Sequence, residues 1–158
     1  MIELKRIEKA DLNFIKNIRN KYKQFLRQKW DINEYEQEQW FLSCKDHIFY
    51  TVFEYNNIIG VAGLTYPDWI SRKVELSFIT ENYVDERSKE IEKKMLEIAF
   101  LELNFLKVFV EIYSNDLQKK EYLEKNGWIK EGEISNTYYN NDEYHNSLFY
   151  AKYRSVKL

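Results

Sequence analysis

The chain has 158 residues and a mass of 19.4 kDa, is 44% apolar, and carries 13 Tyr, 10 Phe and 4 Trp. That is enough apolar mass for a substantial core and too much for a disordered chain. Its 24 basic and 26 acidic residues leave a formal charge of −2 without forming a basic block, which argues against nucleic-acid binding through phosphates. A lone Cys44 excludes an internal disulfide and a thiolate-rich metal site, and no run reads as a leader or a membrane span. The expectation is one cytoplasmic domain over residues 1–158, with no membrane and no metal.

Residues 2–7 alternate apolar and polar side chains and read as a half-buried strand. Leu12, Ile15, Ile18, Tyr22, Phe25 and Leu26 then recur at helical spacing, with Asp11 as a capping residue in front of them. A second helix follows from Asn33, with Glu34 and Glu36 in a first turn where the helix dipole favours acids. Residues 48–55 and 58–66 are strands joined at Asn56-Asn57, because Asn tolerates positive φ. The only proline, Pro67, lies in the next connection. A strand at 74–80, a polar loop and an amphipathic helix over 88–103 come next, with Ile91, Met95, Ile98, Ala99 and Leu103 along one helix face. A strand at 106–113, a short helix at 118–125 ending at Asn126-Gly127, and two strands hinged at Asn140-Asn141-Asp142 complete the chain.

The order β-α-α-β-β-β-α-β-α-β-β predicts an α/β (α+β) fold: a single mixed, mostly antiparallel sheet with helices on both faces. The β-α-β unit at 74–113 supplies one parallel pair through a right-handed crossover. A loop that enters a helix from a strand aims backbone N–H groups and the positive end of the helix dipole at one place, so the loop before Ser88 is an anion site in principle.

Ile59-Gly-Val-Ala-Gly-Leu-Thr-Tyr-Pro-Asp-Trp69, Arg72-Lys-Val-Glu-Leu-Ser-Phe78, Ala99-Phe-Leu-Glu-Leu-Asn-Phe105, and Asn115 followed by Glu124-Lys-Asn-Gly-Trp128 resemble the GNAT superfamily of N-acetyltransferases. The likeness is to its ribosomal-protein-alanine branch and covers the whole chain. It implies transfer of an acetyl group from acetyl-CoA to a primary amine, by direct attack of the amine on the thioester. The acceptor would be a protein α-amine or an amino sugar, since the tail from Tyr122 also resembles amino-sugar acetyltransferases. In that family the fourth and fifth strands splay and the pantetheine arm lies between them. By resemblance, the backbone of Phe78, Ile79 and Thr80 holds the donor, Arg87, Ser88 and Lys89 stand at its pyrophosphate, and Asn115 is a further contact. Glu75 is the general base and Tyr122 the general acid, and the protein is a monomer or homodimer.

Two departures accompany the match. The family loop reads Gln/Arg-x-x-Gly-x-Gly/Ala, and here the small-residue positions fall on Val84, Glu86 and Ser88. Asp85 and Glu86 add negative charge where a dianionic group is expected. Alignment from Gly127-Trp128 places Leu123, not Tyr122, at the acid's position, and one residue on a helix turns a side chain by about 100°. The alternative is a catalytically impaired member that serves as a binding or dimerisation module. Glu75 also suits an outward, solvated place on an alternating strand, and Asp85 and Ser88 also suit simple capping. His47 and His145 read as structural, and Cys44 as a packed small residue.

Overall fold

A computed structural model describes residues 1–155. Its strands are β1 (Ile2–Arg6), β2 (Ile48–Glu54), β3 (Asn57–Asp68), β4 (Lys73–Thr80), β5 (Lys107–Tyr113), β6 (Ile129–Asn140) and β7 (Glu143–Tyr153). They form one seven-stranded sheet in the order β1-β2-β3-β4-β5-β7-β6. Every neighbouring pair is antiparallel except β4 and β5, which are parallel. The mixed sheet expected from the element order is present.

Four helices accompany the sheet: α1 (Leu12–Lys21), α2 (Glu34–Ser43), α3 (Ser88–Glu97) and α4 (Leu117–Lys125). Strand alternation sorts them onto two faces. Val74, Leu76 and Phe78 of β4 point to one face, where they join Ile91, Met95 and Ala99 and the α4 residue Leu123 in the larger core. Ile79 points to the other face and packs with Val61, Tyr83, Ile15 and Ile18 in a smaller cluster that Trp40 of α2 borders. Glu75, between Val74 and Leu76, therefore projects toward the α1 face.

Local chemistry sets the element ends. Asn33 accepts from the Glu36 N–H at 2.9 Å while Glu36 accepts from the Asn33 N–H at 2.9 Å, a reciprocal cap that starts α2. The first hairpin turns on Tyr55 and Asn56, both at positive φ, one residue earlier than the expected Asn56-Asn57. The last turns on Asn141 and Asp142, as expected.

Four boundaries differ from expectation. β3 runs through Pro67 to Asp68 across a register shift, where a connection is expected after Tyr66. α1 ends at Lys21 and continues as a tight turn over Lys23–Phe25, which still aims Tyr22, Phe25 and Leu26 at the smaller cluster. The helix expected over 88–103 is α-helical only to Glu97 and then widens into a π-turn over Ile98–Glu102. The Leu103 N–H bonds the Ile98 carbonyl at 2.9 Å, and the widened turn keeps Ala99 buried while Phe105 also swings into the core. β6 runs to Asn140, with a register shift between Ile134 and Tyr138, so it outlasts the alternating pattern read from its first residues.

Candidate active site

β4 and β5 pair only at Lys73↔Lys107, Val74↔Val108 and Glu75↔Phe109. Beyond that point β4 stays with β3 as far as Thr80, and β5 stays with β7 as far as Tyr113. The sheet therefore divides just after Glu75, and the inner edge of β4 has no neighbouring strand. A small cavity of about 50 Å³ lies in the division, lined among others by Glu75, Phe78, Tyr83, Glu111, Asp116 and Lys119. Such an edge offers backbone donors and acceptors that must find partners elsewhere.

The chain supplies several of those partners itself. The Phe78 carbonyl accepts from Lys119 Nζ at 2.7 Å, and the ammonium also lies 3.8 Å from the centre of the Phe78 ring. Thr80 forms a two-residue bridge with Tyr83, its N–H on the Tyr83 carbonyl at 3.1 Å and its carbonyl on the Tyr83 N–H at 2.9 Å. Asn115 Oδ1 is different: it is buried and has no partner among the described residues. An orphaned carbonyl at the mouth of a divided sheet is an acceptor waiting for a donor.

On the α1 face, Glu75 is largely withdrawn from water. Burial, with the like charge of Glu111 adding to it and Arg27 opposing, pushes its carboxyl up to about 7. Arg27 reaches this cluster from the α1–α2 connection. It pairs with Glu111 at 3.5 Å and lies over the Tyr113 ring at 5.4 Å. Tyr113 in turn stacks on Tyr138, with centroids 4.4 Å apart. Two carboxylates and a pair of aromatic faces around a guanidinium make a site with the chemistry to hold a cation.

The loop of residues 81–88 is closed on itself. Asp85 accepts from the Arg87 N–H at 2.9 Å and from Arg87 Nε at 3.0 Å, and the Asp85 N–H bonds Ser88 Oγ at 3.0 Å. Burial pushes the Asp85 carboxyl up, but the bonds from Arg87 outweigh it and hold the group below its usual range. The Arg87 guanidinium also reaches Glu81 at 3.0 Å and Glu54 at 3.5 Å. The carboxylate beside the α3 N-terminus is thus the chain's own. Tyr83 holds the loop down from a left-handed backbone position, φ 68°, with its ring against Tyr22 and Phe25 and its hydroxyl donating to Asp116. A bulky residue in that region is strained, and it persists because burial and these contacts fix it. Lys89 is exposed at the start of α3.

Tyr122 lies on the α3–α4 face, where its hydroxyl donates to Glu92 Oε2 at 2.6 Å. Burial first, and then this bond, raise its pKa well above the ordinary tyrosine range. The same buried Glu92 accepts from Trp128 Nε1 at 3.0 Å and from Lys152 Nζ at 2.5 Å. Leu123, at the position aligned with the acid, is fully buried in the core. The structure therefore brings Glu75 and Phe78 to the division, bridges Thr80 to Tyr83 at the end of β4, leaves Asn115 in the β5–α4 connection, sets Arg87, Ser88 and Lys89 around the loop, and turns Tyr122 onto Glu92. Lys119, Asp116, Tyr83, Glu111 and Arg27 were not read from the sequence as site residues. Only the fold brings these five to the division, and a lysine in an i, i+4 step with Leu123 was the one available signal for the first.

The largest cavity, about 910 Å³, lies apart from the division, between α3 and the end of β7, with Lys93, Leu96, Phe100 and Leu106 in its wall. Lys89 and Glu92 line it, and none of the side chains named at the division does.

Over residues 4–149 the sequence matches the acetyltransferase (GNAT) domain. The chain belongs to the GNAT acetyltransferase family. It is accordingly an acetyltransferase with acetyl-CoA as cosubstrate. A comparison with curated proteins gave no match. Among solved structures, a spermidine N-acetyltransferase SpeG chimera from Vibrio cholerae and hSSAT superposes with a TM-score of 0.86 at 20% identity, covering 96% of this chain and 95% of the other. A spermidine N-acetyltransferase from Vibrio cholerae in complex with CoA and spermine superposes with a TM-score of 0.86 at 18% identity and the same coverage. At such identities the likeness is one of fold. Among the described residues no group of three or more His, Cys, Asp or Glu side chains is placed to hold a metal, and no helix is long and apolar enough to cross a membrane.

Proposed function

We propose that this GNAT-family enzyme acetylates the primary amine of a small cationic acceptor, which enters from the α1 face and meets Glu75 at the strand division. The observation that carries the proposal is the Glu75 carboxyl, raised to about 7 beside Glu111 at the last parallel pair. A base of that strength is poised for its task near neutral pH. The amine must be neutral to attack, and a carboxylate close by can take its proton as the new C–N bond forms.

A polyamine suits the surroundings better than the protein α-amine or amino sugar that the resemblance suggests. Arg27 already rests between Glu111 and the Tyr113 face, so the pocket holds a positive charge in the present conformation. A ligand ammonium would satisfy the same groups. The similar structures carry the name spermidine N-acetyltransferase, which agrees with this choice of acceptor.

One half of the donor's expected site is open in part. The unpartnered Asn115 Oδ1 can accept from an amide of a pantetheine arm, whereas Lys119 must first release the Phe78 carbonyl and Tyr83 the Thr80 backbone. Acetyl-CoA supplies the acetyl group there, and Arg87, Ser88 and Lys89 are the groups nearest its pyrophosphate by resemblance. To open that half, Arg87 must exchange Asp85 for phosphate. The test is a thermal shift with acetyl-CoA against ATP, followed by thiol release with spermidine, glucosamine and an alanine-terminated peptide. The proposal expects stabilisation by acetyl-CoA and turnover fastest with spermidine, at a rate that rises through pH about 7. No stabilisation at millimolar acetyl-CoA would leave the binding-module alternative in its place.

A further inference from the structure

The family mechanism needs a proton for the departing thiolate, and the tyrosine expected to give it is committed elsewhere. Tyr122 is bonded to the buried Glu92 carboxylate, which disfavours release of its proton, and Leu123 has none to give. We propose that Lys119 is the acid that protonates the leaving thiolate. This assignment rests on the reading of the division as the donor site.

Three observations converge on it. Lys119 is buried, on the first turn of α4, and its Nζ stands in the division against the Phe78 carbonyl at 2.7 Å. It lines the same small cavity as Glu75, so a proton acceptor and a proton donor meet in one gap. A displacement in which the amine loses a proton and sulfur gains one needs both groups at the reacting centre. Third, the charge has a reason to persist there. Asp116 at the start of α4 and Glu92 on α3 both favour the ammonium, while the Phe78 and Tyr83 rings present their faces to it at 3.8 and 5.3 Å. Burial outweighs these groups and pushes the amine down to about 8, close to the ordinary thiol value of about 8.5. A donor matched to its acceptor transfers a proton with little barrier.

The step balances. The acceptor nitrogen bonds to the acetyl carbon, the C–S bond breaks with its electron pair passing to sulfur, and sulfur takes a proton from Lys119 Nζ. Glu75 receives the proton lost by the amine, and Lys119 is recharged from solvent before the next cycle. Binding of the pantetheine arm takes over the Phe78 carbonyl, which frees the ammonium to face the sulfur.

The test compares the wild type with Lys119→Met and Lys119→Arg, using acetyl-CoA and spermidine. Lys119→Met is expected to lower kcat by about 100-fold or more while acetyl-CoA still stabilises the fold. Lys119→Arg is expected to lower kcat as well and to lose the alkaline fall, because a guanidinium stays charged but is too weak an acid to give its proton to a thiolate. A second measurement needs no acceptor: the thiol of bound CoA is titrated by the ultraviolet absorbance of its thiolate. The wild type should ionise the thiol at lower pH than Lys119→Met does. If CoA binds both proteins and the two titrations coincide, or if kcat and its alkaline limb are unchanged in Lys119→Met, the assignment of Lys119 is overturned alone. If CoA binds neither protein, the reading of the division falls with it.

Discussion

The strand division at Glu75 and the loop of residues 81–88 are neighbours on one strand, and they treat their polar groups in opposite ways. In the loop, Asp85, Arg87, Glu81 and Ser88 satisfy one another and the start of α3. At the division, Glu75 is largely withdrawn from water with only the Arg27 charge to offset it, and Asn115 Oδ1 has no partner among the described residues. Satisfied groups stabilise and resist ligands, whereas unsatisfied ones cost stability and invite them. On the reading proposed above, the chemistry lies at the division and the loop is a closed door that a phosphate must open.

The largest expected effect that tests this contrast comes from Glu75→Gln. Loss of the base should lower kcat by about 100-fold or more and remove the rise in rate through pH about 7. The same variant should gain stability in a definite window. The folded carboxyl keeps its proton up to about 7 while the unfolded one loses it near 4.5, so wild-type stability falls as pH rises between these values. Melting temperatures at pH 5 and pH 8 check the sign: Glu75→Gln should lack most of that fall. An equal fall in both proteins would mean that the carboxylate is solvated and would erase the contrast.

Tyr83→Phe comes next. It leaves the buried Asp116 carboxyl without its hydroxyl partner, at a cost of about 1–3 kcal/mol in denaturant unfolding. If the loop is anchored this way, acetyl-CoA affinity should change with stability, while the Glu75 limb of the rate profile stays in place.

Asp85→Asn tests the door itself. Removing a negative charge from the α3 N-terminus should favour an incoming phosphate by about 1 kcal/mol, or roughly fivefold in the acetyl-CoA Kd by calorimetry. Weaker binding in this variant would show that Asp85 builds the donor site and does not block it. Arg27→Gln should have the smallest effect. Arg27 holds the Glu75 pKa down, so its loss should shift the rise in rate to higher pH and lower the KM for spermidine.

How much of this was legible in the sequence varies by element. The strands at 48–54 and 73–80, the capped helix at 34–43 and the hairpin at Asn141-Asp142 follow from alternation, caps and turn residues, which act within a few positions along the chain. Glu75 was singled out only through the family resemblance, since alternation alone suits a solvated, outward Glu equally well. Lys119 was not. Its neighbours in sequence are Gln118 and Lys120, and nothing local distinguishes it from a solvated helix lysine. Its role depends on Phe78, 41 positions away, turning a carbonyl toward it.

The sequence by itself determined the order of elements, the mixed sheet, and a loop before α3 without glycine, and its motifs carried the resemblance to the family. The elements rest on local propensity and apolar periodicity, which the chain carries wherever it folds. Only the tertiary structure decided that the loop closes on Asp85, that Tyr122 turns to Glu92, and that Glu75 and Lys119 flank one gap. Tyr122 and Lys119 depend on partners 30 and 41 residues away, and the loop on the burial and the angles at which Arg87 and Ser88 meet Asp85. A shift of one position between Tyr122 and Leu123 puts the apolar side chain in the core and the hydroxyl on Glu92.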